Sequence, residues 1–289
     1  MVRLGGEPES GHFEDRTGQG FGGGGFGGGG LGLLMGLVGS RFGIVGVLLL
    51  LLAYCAVSQI GGLGGGGEGG QAAASKLDPN VRSFLVRTLG STEETWGGIF
   101  QQSGASYRPT NMVAYSGGTQ TACGLGQAAM GPFYCPTDQT IYIDPVFFNE
   151  LSQRFGAPGD FAMAYVIAHE VGHHIQNLEG TLDRAQQAQQ SVGRTQGNQI
   201  QVGVELQADC YAGVWAAIAK DPQGQPLLEP GDIEEGMRAA EAIGDDTLQK
   251  QSQGVVVPES FTHGTSAQRM EALRRGLSSG NPASCNYAR

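Results

Sequence analysis

Basic residues are scarce in this sequence. Its 289 residues include 17 Lys and Arg against 27 Asp and Glu, so the formal net charge is −10. Proteins that bind nucleic acids use basic surface to displace the counterions of the phosphate backbone. The composition therefore argues against a nucleic-acid partner.

Cysteine is also scarce, and no two cysteines have the C-x-x-C spacing of a cysteine zinc site. Apart from Cys55, the four cysteines fit an oxidising compartment, and they permit three pairings between which the sequence does not choose. Cys123 and Cys135 bracket a stretch rich in Gly and Pro, so we expect that pair, which leaves Cys210 with Cys285. Buried free thiols are the alternative.

Glycine, by contrast, is abundant, with 51 residues, and its runs, such as Gly22–Gly25, Gly27–Gly30 and Gly64–Gly67, crowd into the first quarter of the chain. Such a segment buries too little apolar surface to offset chain entropy. We interpret residues 1–41 as a disordered, Gly-rich cytoplasmic segment and residues 61–71 as a flexible Gly-rich linker. Residues 72–289 have an ordinary globular composition and form the predicted folded domain.

Only one uncharged apolar run, Phe42–Ile60, is long enough to cross a bilayer. Arg41 precedes it and no Lys or Arg follows until Lys76, which favours a single-pass anchor in the cytoplasmic membrane with the N-terminus inside and the domain outside. A cleaved signal peptide would have a short charged start, and Tyr54 before Cys55 is too bulky for a lipoprotein cleavage box. The Gly-rich flanks disfavour a buried core helix.

The pattern of the domain predicts an α+β class, with a small sheet followed by mainly helical structure. A helix is expected over Pro79–Leu89, and a second helix start near Ser91. Met112–Tyr115 and Thr140–Ile143 are predicted strands, with the cysteine-bracketed loop between them. From Asp160 onward the pattern is helical.

The predicted helix from Asp160 to a stop at Gly180 carries an H-E-x-x-H motif. His169 and His173 are four residues apart, so their rings project from one face and can bind a single ion. Glu170 lies one step round the helix, where it can reach a bound water. This pattern is typical of zinc proteases. The alternative is a pair of hydrogen-bonded core histidines.

A catalytic zinc needs a third protein ligand and an open position for water. A metzincin would have Gly and His three and six residues after His173, where this chain has Gln176 and Glu179. Glu205 on a second helix can complete the set, and Asp209, one turn on, can accept the other ring N–H of a ligand histidine. The alternative for these two acids is a solvated acidic face.

Five segments strengthen this interpretation: GPFYCPTDQTIYID, GDFAMAYVIAHEVGHHIQNL, ELQADCYAGVWA, GDIEEGMRAAEAIGDD and SFTHGTSAQR. From about Leu77 to the C-terminus the chain resembles the bacterial neutral zinc metallopeptidase family, and more distantly the Glu-zincins. The resemblance implies a zincin-like domain, a Zn²⁺ cofactor, Glu205 as metal ligand and Asp209 in contact with a ligand.

These residues predict a membrane-anchored zinc-dependent peptidase with a protein or peptide substrate. Glu170 is the expected general base. His263, in a loop before a helix that Ser266 is expected to cap, is predicted to contact the substrate or the oxyanion, the alternative being a hydrogen bond at the helix entry. Two other functions share these residues: a membrane-tethered zinc-binding scaffold, and a zinc amidase acting on cell-wall peptide.

Overall fold

The computed structural model describes residues 2–19 and 75–288. The predicted anchor at residues 42–60 and most of the N-terminal Gly-rich sequence, with the linker at residues 61–71, lie outside the described residues. Among the described residues, no helix combines the length and the apolar character that a membrane crossing requires.

A small mixed sheet forms one side of the fold. Its strands are β1 (Phe13–Asp15), β2 (Asn111–Ala114), β5 (Phe133–Cys135) and β6 (Thr140–Ile143). They lie in the order β1-β2-β6-β5, with β5 antiparallel to β6 and the other pairs parallel. A separate hairpin of β3 (Gly118–Thr121) and β4 (Gly124–Gln127) fills much of the loop between the two predicted strands. Both predicted strands are confirmed, as β2 and β6.

Helices make up most of the described residues. They are α1 (Pro79–Gln102), α2 (Val146–Gln153), α3 (Asp160–Leu178), α4 (Thr181–Gln190), α5 (Arg194–Ile218), α6 (Asp232–Ala242), α7 (Asp245–Gln253) and α8 (Ser266–Ser279). The predicted α+β class is confirmed. The expected break near Ser91 is wrong, because Ser91 is buried in the middle of one continuous helix rather than capping a second one.

The helix that carries the H-E-x-x-H motif, α3, lies at the centre of the core. One end, with Phe161 and Tyr165, packs in a cluster with Trp215 of α5. Further along, Ile167 and Val171 pack in a second cluster with the sheet and α1. Because nearly every face of α3 is covered, its polar residues are held in low-dielectric surroundings, where each needs a partner.

The N-terminal residues differ from their prediction. Residues 2–19 are not disordered, because β1 pairs in parallel register with β2 and the side chains of Val2 and Leu4 are buried. No sequence pattern predicted this pairing, since three-residue strands have no periodicity to detect. Residues 2–19 therefore belong to the folded domain rather than to a separate disordered segment.

Two disulfides brace the domain. Cys123 is bonded to Cys135 and Cys210 to Cys285, which confirms the expected pairing. The first joins the turn of the β3–β4 hairpin to the last residue of β5. The second fixes the C-terminal residues against α5, beside the helix turn that carries the predicted third ligand.

Candidate metal centre

The three predicted ligands lie together where α3 crosses α5. A Glu205 carboxylate oxygen lies 3.2 Å from Nε2 of His169 and 3.6 Å from Nε2 of His173. The crossing is close because α3 has Gly172 at the contact, where a Cβ atom would lie 2.9 Å from the backbone of Ala208. One donor atom from each of the three side chains falls within 4.8 Å of the other two.

Each ligand histidine is oriented by a different partner on its other ring nitrogen. Nδ1 of His169 lies 2.7 Å from Asp209, and Nδ1 of His173 lies 2.9 Å from the amide oxygen of Gln176. A donor proton on each Nδ1 leaves each Nε2 with a lone pair directed towards Glu205. Two imidazole nitrogens and one carboxylate, with a fourth direction open to the cavity, fit a catalytic zinc.

Asp209 is the centre of a buried hydrogen-bond network. Besides His169, it accepts hydrogen bonds from the Tyr165 hydroxyl at 2.6 Å and from Arg269 of α8 at 2.8 and 2.9 Å. Burial by itself would raise the pKa of Asp209, but the charges of Arg269 and His169 outweigh it and lower the pKa to about 2. Asp209 is therefore ionised at neutral pH and is a strong acceptor for the His169 ring.

The charges around the ligands favour a cation. Burial opposes charge on His169, yet the carboxylates of Asp209 and Glu205 outweigh it and raise its pKa to about 10. Burial also works against ionisation of Glu205, and the neighbouring histidines reverse that effect and lower its pKa. A metal ion has to compete with protons for these ligand atoms, so metal binding should weaken as the pH falls.

Glu170 lies beside the ligands on the wall of a cavity of about 980 Å³. The residue is 7% exposed, and its carboxylate makes no hydrogen bond to another residue among those described. His169, His173 and Glu205 line the same cavity. A carboxylate with no hydrogen-bond partner among the described residues therefore faces the space where a substrate and a water would meet.

His263 also reaches this cavity, from the loop before α8. Its Nδ1 lies 3.2 Å from Asp245, whose other oxygen accepts hydrogen bonds from the backbone N–H groups of Thr262, His263 and Gly264. The bond to Asp245 is the main cause that raises the pKa of His263. The α8 cap is Thr265, with Gln268 completing a capping box, rather than the expected Ser266.

Residues 2–288 match the family described as "Putative neutral zinc metallopeptidase". The chain belongs to this family. Zn²⁺ is the cofactor of a zinc metallopeptidase, and the donor set described above suits it. The match begins at residue 2, so it includes the N-terminal residues that pack on the domain.

Relatives of this chain occur in Escherichia coli and in Mycobacterium tuberculosis. The chain is 50% identical over 219 residues to an uncharacterized Escherichia coli protein, YpfJ. The matched residues make up 75% of this chain and 75% of YpfJ. It is 42% identical over 214 residues to an uncharacterized Mycobacterium tuberculosis protein, Rv2575, covering 71% of this chain and 70% of the relative. No solved structure matches the chain.

Several residues of the centre were not predicted from the sequence. Tyr165 lies one turn before His169 on the same helix face, so helical spacing could have indicated it. Arg269 and Gln176 gave no such signal, because an arginine or glutamine in a helix is usually exposed. His174, the residue after His173, is buried and lies between the Tyr134 hydroxyl and the Arg108 carbonyl, at 3.0 and 2.6 Å.

Proposed function

We propose that this protein is a membrane-anchored zinc-dependent peptidase in which His169, His173 and Glu205 hold the metal and Glu170 is the general base. The observation that carries the proposal is the position of Glu170. Its carboxylate has no hydrogen-bond partner among the described residues and lies in the cavity that the three metal ligands line. A purely structural zinc site has no need of an open position or of a free base beside it.

The chemistry divides between the metal and the side chains around it. When bound, Zn²⁺ supplies Lewis acidity that acidifies a coordinated water and polarises a substrate carbonyl. The Glu170 carboxylate accepts the proton of the attacking water and delivers it to the leaving amine. Asp209 and Gln176 hold the two imidazole rings in the tautomer that this requires.

His263 is proposed to stabilise the negative charge that develops on the carbonyl oxygen. Its ring lies at the cavity, and Asp245 on the far side favours the protonated form that can donate a hydrogen bond. A donor placed before the reaction begins lowers the barrier without reorganisation. This assignment needs the Asp245 contact, because the side chain is 52% exposed and would otherwise be free to rotate.

The sheet edge beside the cavity favours an extended peptide as substrate. β5 is hydrogen-bonded to β6 and, within the described sheet, is its last strand. Phe133 and Tyr134 of β5 line the cavity. A peptide can add to such an edge through its backbone, with alternate side chains directed into the cavity. The neighbouring strand β6 lies between β2 and β5 and so has no free edge for a peptide.

The membrane association rests on Phe42–Ile60, which is outside the described residues. Two features support an extracytoplasmic domain attached to the cytoplasmic membrane. One is the apolar sequence itself, and the other is the pair of disulfides, which persist in oxidising compartments. We propose that the cavity faces substrates on that side, near the membrane surface.

The test is hydrolysis of a peptide library by the full-length protein in detergent. Peptide cleavage that a chelator abolishes and Zn²⁺ restores is the expected result. Zinc binding without cleavage of any peptide would favour the scaffold function, and cleavage of cell-wall peptides alone would favour the amidase. An amidase remains the second candidate because it would use the same ligands, base and cavity.

A further inference from the structure

The N-terminal residues are built into the domain along their whole described length. The backbone N–H of Val2 donates to Asp160 at 2.8 Å, at the start of the helix that carries the metal-binding histidines. The N–H of Arg3 donates to the carbonyl of Leu227 at 2.9 Å. These contacts join residues that are far apart in sequence, so they are tertiary structure and not local turns.

The middle of this segment lies against α1 at very short range. Gly90, near the centre of α1, has no room for a side chain, because a Cβ atom there would overlap the carbonyl oxygen of Pro8. The Arg87 guanidinium donates to the carbonyl of Glu7 at 2.7 Å and to the carboxylate of Glu9 at 3.0 Å. A glycine inside a long helix lowers helix stability, so its presence here is explained by the segment that it accommodates.

The two ends of the undescribed stretch lie side by side. The hydroxyl of Thr17 accepts a hydrogen bond from the backbone N–H of Lys76 at 3.1 Å, and Asp15 accepts one from the hydroxyl of Ser75. The chain therefore leaves the described domain after Gln19 close to the place where it re-enters the domain at Ser75.

A single membrane crossing cannot connect two ends that touch. The hydrocarbon core is about 30 Å thick, and a chain that crosses it once has its ends on opposite faces. We infer that residues 2–19 and the metal centre lie on the same face of the membrane with which the protein is proposed to associate. This differs from the topology predicted from Arg41, in which the N-terminus is inside and the domain outside.

Cysteine labelling in spheroplasts tests the inference on the full-length chain. The background is Cys55→Ser, because the other four cysteines are disulfide-bonded. Gly11→Cys and Gly193→Cys place one exposed thiol in the N-terminal segment and one in the domain, each where a Cβ meets nothing within 4 Å. A membrane-impermeant maleimide should label both to the same extent before permeabilisation.

Labelling of Gly193→Cys alone before permeabilisation would overturn the inference. Protection of both thiols until permeabilisation would support the shared face and would instead contradict the extracytoplasmic placement under Proposed function. The two proposals can therefore fail separately. A cytoplasmic protein with an exposed cysteine, which should stay unlabelled, reports that the membrane is intact.

A second pair of variants tests the docking on which the topology depends. Gly90→Ala should displace residues 2–19 and lower their protection from hydrogen exchange by about tenfold or more. Gly97→Ala, on the same helix where a Cβ meets nothing within 4 Å, should leave that protection unchanged. Circular dichroism monitors the helical domain in both. Unchanged protection in Gly90→Ala would remove the basis of the inference.

Discussion

Asp209 and Arg269 form a two-bond ion pair that joins α5 to α8 behind the metal ligands. Their side chains are 0% and 4% exposed, and the two bonds are 2.9 and 2.8 Å long. A buried charge of this kind is tolerable only because each partner neutralises the other. The pair keeps Asp209 ionised beside the ring of His169. The Asp209–Arg269 contact therefore controls the orientation of His169, although neither Asp209 nor Arg269 is a predicted metal ligand.

Removal of Arg269 should therefore destabilise the domain strongly. Arg269→Met leaves the Asp209 carboxylate buried without its countercharge, and we expect a loss of about 3–5 kcal/mol in the free energy of unfolding. The control is Arg274→Met on the same helix, whose ion pair with Glu271 is exposed and should contribute less than about 1 kcal/mol. Denaturant unfolding measures both, and equal effects would contradict the role of the buried pair.

The amide of Gln176 should control metal affinity through His173. It accepts from Nδ1 of His173 and donates to the Val204 carbonyl at 2.7 Å, so it is held from both sides. Gln176→Ala frees the ring to rotate and should weaken zinc binding by about 10- to 100-fold, measured by competition with a chromophoric chelator. Gln187→Ala, at an exposed position of α4, should have no effect. Equal zinc affinity in both variants would remove Gln176 from this role.

The activity should have an alkaline limb set by His263. The ordinary pKa of histidine is about 6.5, and Asp245 raises that of His263, so the charged donor persists above this pH and is lost as the pH rises further. Asp245→Asn removes the cause of the shift and should move the limb of the kcat/KM profile to lower pH. An unmoved limb would mean that another group sets it.

His263→Ala should separate this group from the metal ligands. Loss of one donor to the developing oxyanion costs about 10²- to 10³-fold in kcat/KM, and the zinc content should stay as in the unaltered protein. A variant with normal turnover would support the alternative, in which His263 only makes a hydrogen bond at the entry to α8.

The contact between α3 and α5 should tolerate no larger residue than glycine at position 172. Gly172→Ala presses a methyl group on the Ala208 backbone, and we expect about 1–3 kcal/mol of destabilisation with weaker zinc binding. The matched change is Gly197→Ala in α5, where the nearest atoms are 4.0 Å from the new Cβ and where alanine favours the helix. If thermal unfolding gives the two variants the same midpoint, the close crossing is not what sets the ligand geometry.

The sequence predicted the metal ligands better than the residues that position them. The H-E-x-x-H spacing places His169 and His173 on one face of any helix, so local geometry alone was enough. Glu205 and Asp209 could be proposed because they too are four apart, but their approach to α3 depends on tertiary packing at Gly172. Arg269 is 100 residues from His169, and no local pattern links them.

The predicted disorder of residues 2–19 was wrong for a different reason. Residues 2–19 precede a long Gly-rich stretch, and composition alone places them with it. Their order comes from partners that lie beyond residue 75, such as the β2 edge and the surface of α1. A window of sequence that contains only one side of such a contact cannot reveal it, because the short strand has little propensity of its own.

The most direct test of the account compares the full-length protein with its Glu170→Gln variant for zinc content and for peptide turnover. The substitution keeps the shape of the side chain and removes the base, while His169, His173 and Glu205 are untouched. We expect one zinc per chain in both proteins, and a loss of turnover of at least about 10²-fold in the variant. Undiminished turnover in the variant, or a folded protein that binds no zinc, would contradict the proposed centre.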